Sequence, residues 1–135
     1  MAIKIMVADD SKLVVSLINN ILRKMDESFI IINAQDGKEA YDKTIHELPD
    51  LILLDWQMPV KNGIDTLIAL KRNNKTKEIP VVMLTGQDNL EEAYNNGAIE
   101  FIRKPFEKVE IITKVKLILE WKKALEELQN LKKDL

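Results

Sequence analysis

The stretch IKIMVADDS, residues 3–11, decides how the rest of the chain is read. From Ile3 to Ala8 it is apolar without alternation, apart from Lys4, which is the pattern of a strand covered on both faces. The run stops at two adjacent carboxylates, Asp9 and Asp10, and Ser11 then stands where a helix N-cap belongs. Two like charges at a strand end are costly unless a cation or a proton relieves them. A buried parallel strand, an acidic end and a helix start are thus written into nine residues.

Outward from this stretch the same unit recurs. Apolar runs at Phe29–Ala34, Leu51–Leu54, Pro80–Leu84 and Glu100–Ile102 alternate with helical patterns. Leu13, Leu17, Ile18, Ile21, Leu22 and Met25 recur at helical spacing after Ser11. Glu39–Leu48 follows a turn at Asp36–Gly37, and Asp65–Arg72 follows another at Asn62–Gly63. Leu90–Asn95 follows Asp88, with Glu91 at capping-box spacing. A final helix begins near Phe106. Strands alternating with helices imply an α/β fold with a doubly wound parallel sheet. Ligands in such sheets bind beyond the carboxyl ends of the strands, at the topological switch point.

With strand order 2-1-3-4-5, the polar residues at those ends form a chemical set. Asp9 and Asp10 close the first strand, Asp55 the third and Thr85 the fourth, while Lys104 follows the fifth. Three carboxylates close together demand either a raised pKa or a bound cation. All-oxygen ligation with open positions suits Mg²⁺, which keeps waters and shares its shell with phosphate oxygens. Asp55 can serve as a nucleophile giving an acyl phosphate. Lys104, the Thr85 hydroxyl and main-chain N–H groups after Asp55 can take the phosphoryl oxygens.

Composition narrows the alternatives. The 135 residues suggest one domain, and 46% hydrophobic content suffices for a core. The absence of cysteine excludes thiol catalysis, zinc–thiolate sites and disulfides. Net charge is −2 with both signs interspersed, so nucleic-acid binding by this chain has no electrostatic support. The N-terminus lacks signal-peptide architecture and no run approaches a membrane span, so a soluble cytoplasmic protein is expected.

The acidic pair in VADDS, DWQMP with Asp55, LTG with Thr85 and FIRKPF with Lys104–Pro105 occur in one order over roughly residues 2 to 120. In these motifs the chain resembles the receiver domain of bacterial two-component response regulators, and within that family the chemotaxis type. The resemblance implies a flavodoxin-like five-stranded fold and a phosphorylation-dependent signalling switch. It implies Asp55 as phosphoacceptor, Asp10 and Asp55 as direct Mg²⁺ ligands, Asp9 as a ligand mainly through water, and the Gln57 main-chain carbonyl as a further ligand. Lys104 would pair with the phosphate, and its bond to Pro105 would be cis, an isomer that proline makes inexpensive. Thr85 and Phe101 occupy the paired switch positions, which would remodel the face built from the fourth helix, fifth strand and fifth helix. Gln57 and Gln87, two residues beyond Asp55 and Thr85, stand where hydrolysis of the acyl phosphate is tuned.

His46, the single histidine, reads as an exposed residue near the end of a surface helix. With no phosphodonor histidine and no GxxxxGK[ST] loop, the phosphoryl group must come from a partner, a sensor histidine kinase or phosphotransfer protein. Trp56 reads as a partly exposed packing residue, and Met58–Pro59 as shaping the loop.

No Gly or Pro interrupts the last helix between Phe106 and Leu135. Such a helix would run on the order of 40 Å, past a domain whose radius of gyration is ~14 Å. Ile111, Ile112, Val115, Ile118 and Leu119 read as its sheet-facing side. A second register, Leu117, Trp121, Ala124, Leu128, Leu131 and Leu135, is spaced 4, 3, 4, 3, 4, which is a heptad seam. The chain is therefore divided into a receiver domain over 1–119 and a helical extension over 120–135. The extension reads as a dimerising or signal-transmitting stalk ahead of a C-terminal output domain, in preference to a solvated overhang. The competing classes are a phosphorylation-independent coiled-coil adaptor and a metal-dependent phosphatase with an aspartyl nucleophile. The phosphatase class wants DxDxT after the first strand, whereas the nucleophile candidate here follows the third.

Overall fold

A computed structural model describes residues 2–86 and 89–135. Five strands, β1 (Lys4–Ala8), β2 (Ile30–Ala34), β3 (Leu51–Asp55), β4 (Val81–Thr85) and β5 (Glu100–Arg103), form one parallel sheet in the order β2-β1-β3-β4-β5. Between and after them run α1 (Lys12–Met25), α2 (Gly37–Glu47), α3 (Gly63–Arg72), α4 (Leu90–Asn95) and α5 (Lys108–Lys133).

The unbroken apolar runs are explained by two cores, one on each face of the sheet. Met6, Ile52, Leu54 and Met83 point into one, where Ala40 of α2 and Leu67 and Leu70 of α3 close over them. Their strand neighbours Ile5, Val7, Leu51, Leu53, Val82 and Leu84 point into the other, beneath Ile18, Ile21 and Leu22 of α1 and Ile111, Val115 and Ile118 of α5. Successive residues of a strand face opposite ways, so a strand buried on both sides has no position left for a polar residue except its end.

Several helix details differ from the sequence reading. The turns expected at Asp36–Gly37 and Asn62–Gly63 are helix starts: Asp36 and Asn62 are N-caps, accepting the N–H groups of Glu39 and Asp65. The glycines are then the first helical residues, and Gly63 is required by close approach, since a Cβ there would lie 2.0 Å from the Asp55 carbonyl oxygen. Asp88 lies outside the described residues; the α4 cap is Asn89, which accepts from the Glu92 N–H and donates to the Glu92 carboxylate. The capping-box logic holds one residue later than expected. Leu13 and Leu17 are not core, at 80% and 47% exposure. The buried stripe of α1 passes through Ile18, Ile21 and Leu22, with Val14 and Met25 packed beside it. Leu13 and Leu17 each precede a stripe residue and sit about 100° round the helix from it. Ser11 caps α1 as expected, accepting from the Val14 N–H.

Helix α5 starts two residues after Phe106 and is unbroken to Lys133. No helix among the described residues is long and apolar enough to cross a membrane.

Candidate functional site

The sheet order sets β1 beside β3, with Ala8 opposite Leu54, so the residues that follow meet at one edge of the switch point. Asp9, Asp10 and Asp55 each offer a carboxylate oxygen, all within 4.8 Å of one another. Asp9 and Asp55 are buried while Asp10 is exposed. Lys104 reaches across from the carboxyl end of β5: its Nζ donates to Asp9 Oδ2 at 2.7 Å and lies 3.1 Å from Asp55 Oδ1. The lysine is held in place through its main chain, because its N–H donates to the Thr85 carbonyl at 2.8 Å. The Lys104–Pro105 bond is cis, as expected.

One ammonium cannot balance three carboxylates. Burial pushes the Asp55 carboxyl up to about 6, helped by the Asp9 charge and opposed by Lys104 and the Gln57 main-chain N–H. For Lys104, burial works against the charged form, but hydrogen bonds and charges from Asp9 and Asp55 outweigh it and hold the ammonium above its ordinary value. The remaining negative charge opens into a cleft of about 570 Å³, lined by Asp10, Asp55, Trp56, Gln57, Gly86 and Lys104 among others. An all-oxygen donor set beside an open cleft fits a hard divalent cation such as Mg²⁺ and leaves room for the oxygens of a phosphate.

Asp9 also has a local task that the sequence reading missed. Its Oδ1 accepts the Ser11 N–H at 2.9 Å, so both carboxylate oxygens are engaged, one in the turn into α1 and one with Lys104. An Asp two residues ahead of such a turn is the available signal. The loop after β3 is stitched by the Gly63 N–H donating to the Trp56 carbonyl at 2.7 Å, which holds Gln57 at the cleft. Trp56 is partly exposed and packs on the core, and Met58 is buried beneath the loop. Gln87 lies outside the described residues.

Thr85 is buried at the end of β4, and Phe101 is half-buried on β5. Around Phe101 the structure assembles a group the sequence reading did not find. Tyr94 of α4 meets its ring edge-on at 5.9 Å, and Lys114 of α5 places its Nζ 4.9 Å from the ring centroid while donating to the Phe101 carbonyl at 2.7 Å. Glu100 Oε1 accepts from the Tyr94 hydroxyl and from the Phe101 N–H, each at 2.9 Å. Burial and the Glu100 carboxylate push the Tyr94 hydroxyl up to about 12. These residues come from three elements with no shared spacing, so only the tertiary structure joins them.

His46 is exposed at the end of α2, with Nδ1 against the Asp42 carbonyl, away from the cleft. Along α5, Ile111, Val115 and Ile118 are buried and Ile112 and Leu119 are packed against the same core. The seam residues Leu117, Trp121, Leu128 and Leu131 are 59%, 48%, 51% and 64% exposed, and Ala124 and Leu135 are exposed with them.

A family model described as the response regulator receiver domain matches residues 5–116. The chain is 37% identical over 130 residues to the transcriptional regulatory protein CpxR of Escherichia coli, covering 94% of this chain and 53% of CpxR. It is 34% identical over 122 residues to the phosphate regulon transcriptional regulatory protein PhoB of the same species, covering 88% and 52%. The chain thus spans about half the length of these curated relatives. Among solved structures it is similar to NtrX from Brucella abortus, with a TM-score of 0.83 at 32% identity, over 97% of this chain and 30% of that one. It is also similar to the chemotaxis response regulator CheY4 of Vibrio cholerae, with a TM-score of 0.79 at 26% identity, over 87% and 99%. With the family model covering most of the sheet and the acidic cluster at its switch point, the chain belongs to the response regulator receiver domain family.

Proposed function

We propose that this chain is a phosphorylation-dependent switch that accepts a phosphoryl group on Asp55 from a phosphohistidine of a sensor histidine kinase or phosphotransfer protein. The observation that carries the reading is the arrangement at the switch point. A single lysine is shared between Asp9 and Asp55, Asp10 stands beside them, and the cluster remains net negative at the mouth of a cleft. Asp55 Oδ attacks phosphorus, the phosphorus–nitrogen bond to the donor imidazole breaks, and an acyl phosphate forms. Asp9, Asp10, Asp55 and the Gln57 main-chain carbonyl would hold Mg²⁺, which supplies charge neutralisation for the phosphoryl oxygens when bound. Lys104 and the Thr85 hydroxyl take phosphoryl oxygens, and main-chain N–H groups after Asp55 take another.

The output follows from position. Thr85 and Lys104 are joined through the Thr85 carbonyl, and Phe101 shares β5 with the residues leading to Lys104. Movement of the Thr85 hydroxyl toward a phosphoryl group frees space that the Phe101 ring enters, which breaks the ring's contacts with the Tyr94 ring and the Lys114 ammonium and alters the α4–β5–α5 face. Gln57 at the cleft and Gln87, two residues beyond Thr85 in the sequence, are the positions that tune loss of the phosphoryl group to water, and catalysis is limited to self-phosphotransfer and autodephosphorylation. Residues 1–119 form the receiver unit and 120–135 a helical extension leading to an output domain, in a cytoplasmic protein.

Beryllofluoride with Mg²⁺, an acyl-phosphate mimic, tests this. It is expected to perturb the fluorescence of Trp56, at the cleft beside Asp55, in the parent chain and not in Asp55→Asn. Absence of any Mg²⁺-dependent response would favour the coiled-coil adaptor, and turnover of many small phosphate esters would favour the phosphatase.

A further inference from the structure

Beyond Leu119, α5 leaves the domain, and the ion pair between Lys122 and Asp50 fixes which side of it faces back, with Glu126 one turn on in the same helix joining that lysine. Lys122 Nζ lies 2.9 Å from Asp50 Oδ1 and 3.3 Å from Glu126 Oε1. Asp50 is itself anchored, because its Oδ2 accepts the Lys4 N–H at 2.8 Å at the start of β1. With Trp121 and Leu128 as a positions and Leu117, Ala124 and Leu131 as d positions, Lys122 falls at b and Glu126 at f. Positions b and f lie on the back of a coiled-coil helix. The helix is therefore held by its back, and the apolar stripe is turned away from its own domain, where it stays exposed. What covers it must come from outside the domain.

The charges beside the stripe specify an identical helix. Glu127 is at g and Lys132 at the following e. In a parallel, in-register pair each g residue faces the partner's next e residue, so twofold symmetry makes this glutamate–lysine contact twice. Leu125, at the other e position and 37% exposed, widens the stripe, and the small Ala124 leaves room beside Trp121. The two signs are balanced around the rest of the extension, with Glu120, Glu126 and Asp134 against Lys122, Lys123 and Lys133, which suits a protein helix rather than an anionic lipid surface.

We propose that α5 pairs with α5 of a second copy of this chain as a parallel two-stranded coil seated on Leu117, Trp121, Ala124, Leu128 and Leu131, with Glu127 facing Lys132 across it. This goes beyond the phosphorylation reading and does not depend on Asp55.

The cysteine-free full chain makes the test clean. Under mild oxidation Leu128→Cys, at an a position, is expected to give a disulfide-linked dimer, while Lys133→Cys, at f, stays monomeric at the same concentration. Equal crosslinking at both positions, or none at Leu128, overturns the proposal. Because Leu128→Cys removes a seam leucine, sedimentation equilibrium of the unsubstituted chain provides a second reading. A dimer is expected, weakened about tenfold by Glu127→Lys and restored to the parent affinity by Glu127→Lys with Lys132→Glu. A monomer up to millimolar concentration, or a double variant as weak as the single one, overturns it.

Discussion

The two ends of the sheet are built from the same parts. At the amino ends of the strands Lys122 pairs with Asp50, Asp50 also accepts the Lys4 N–H, and the Lys4 ammonium lies 3.2 Å from Glu47. At the carboxyl ends Lys104 pairs with Asp9 and Asp55 while Asp10 stands by. Burial opposes the charge of Lys122, and its hydrogen bonds and charge contacts with Asp50 and Glu126 outweigh it, so that the ammonium sits above its ordinary value, as for Lys104. The difference is in the count. At the amino end two ammonium groups and the Lys4 N–H serve Asp50, Glu47 and the exposed Glu126, and that end is finished structure. The carboxyl end has one lysine for three carboxylates and stays unbalanced, which leaves it chemistry to do.

The largest expected effect comes from removing the lysine of the unbalanced end. Lys104→Met leaves buried Asp9 and Asp55 without a cation and should cost about 3 kcal/mol at pH 7 in urea unfolding without metal. Millimolar Mg²⁺ should return more stability to this variant than to the parent; equal Mg²⁺ responses would mean that the carboxylates are not competing for charge. Asp55→Asn works in the other direction. The Asp55 carboxyl titrates near 6 in the folded chain against 3.8 for an ordinary aspartate. The folded state therefore binds the extra proton in that window, and parent stability falls as pH rises from the lower value through the upper one. Asp55→Asn removes that loss, so at pH 7 it should stabilise the metal-free chain by about 1–2 kcal/mol after allowance for solvent screening. The gain should fade on acidification toward pH 4, and a gain independent of pH would refute the cause. Smallest is the balanced end: Lys122→Met should cost about 1 kcal/mol, equally with and without Mg²⁺.

The sheet was legible because burial on both faces writes itself as continuous apolar runs, and β1, β3 and β4 are apolar at every position but an end. The meeting of Asp9, Asp10, Asp55 and Lys104 was legible for a related reason, since polar residues in such strands survive only at the ends and the strand order then fixes who meets whom. Leu13 and Leu17 misled because helical spacing selects a stripe but does not give its width, and α1 buries only the side that faces β1 and α5. The Asp36 and Asn62 caps were read as turns because Asp-Gly and Asn-Gly carry both meanings; close packing of Gly63 against the Asp55 carbonyl decided between them. The Tyr94–Glu100–Lys114 group and the Asp50–Lys122 pair have no local pattern, since each spans separate elements.

Lys104 and Asp9 stand 95 residues apart in the chain. During synthesis the three carboxylates leave the ribosome first, and the strand that delivers their counter-ion leaves last. A nascent chain that has not yet extruded β5 carries the repulsion without its relief, so the acidic centre is completed by the same event that completes the sheet. A proteolytic or prematurely terminated fragment lacking β5 would therefore carry Asp9, Asp10 and Asp55 without the lysine that two of them share.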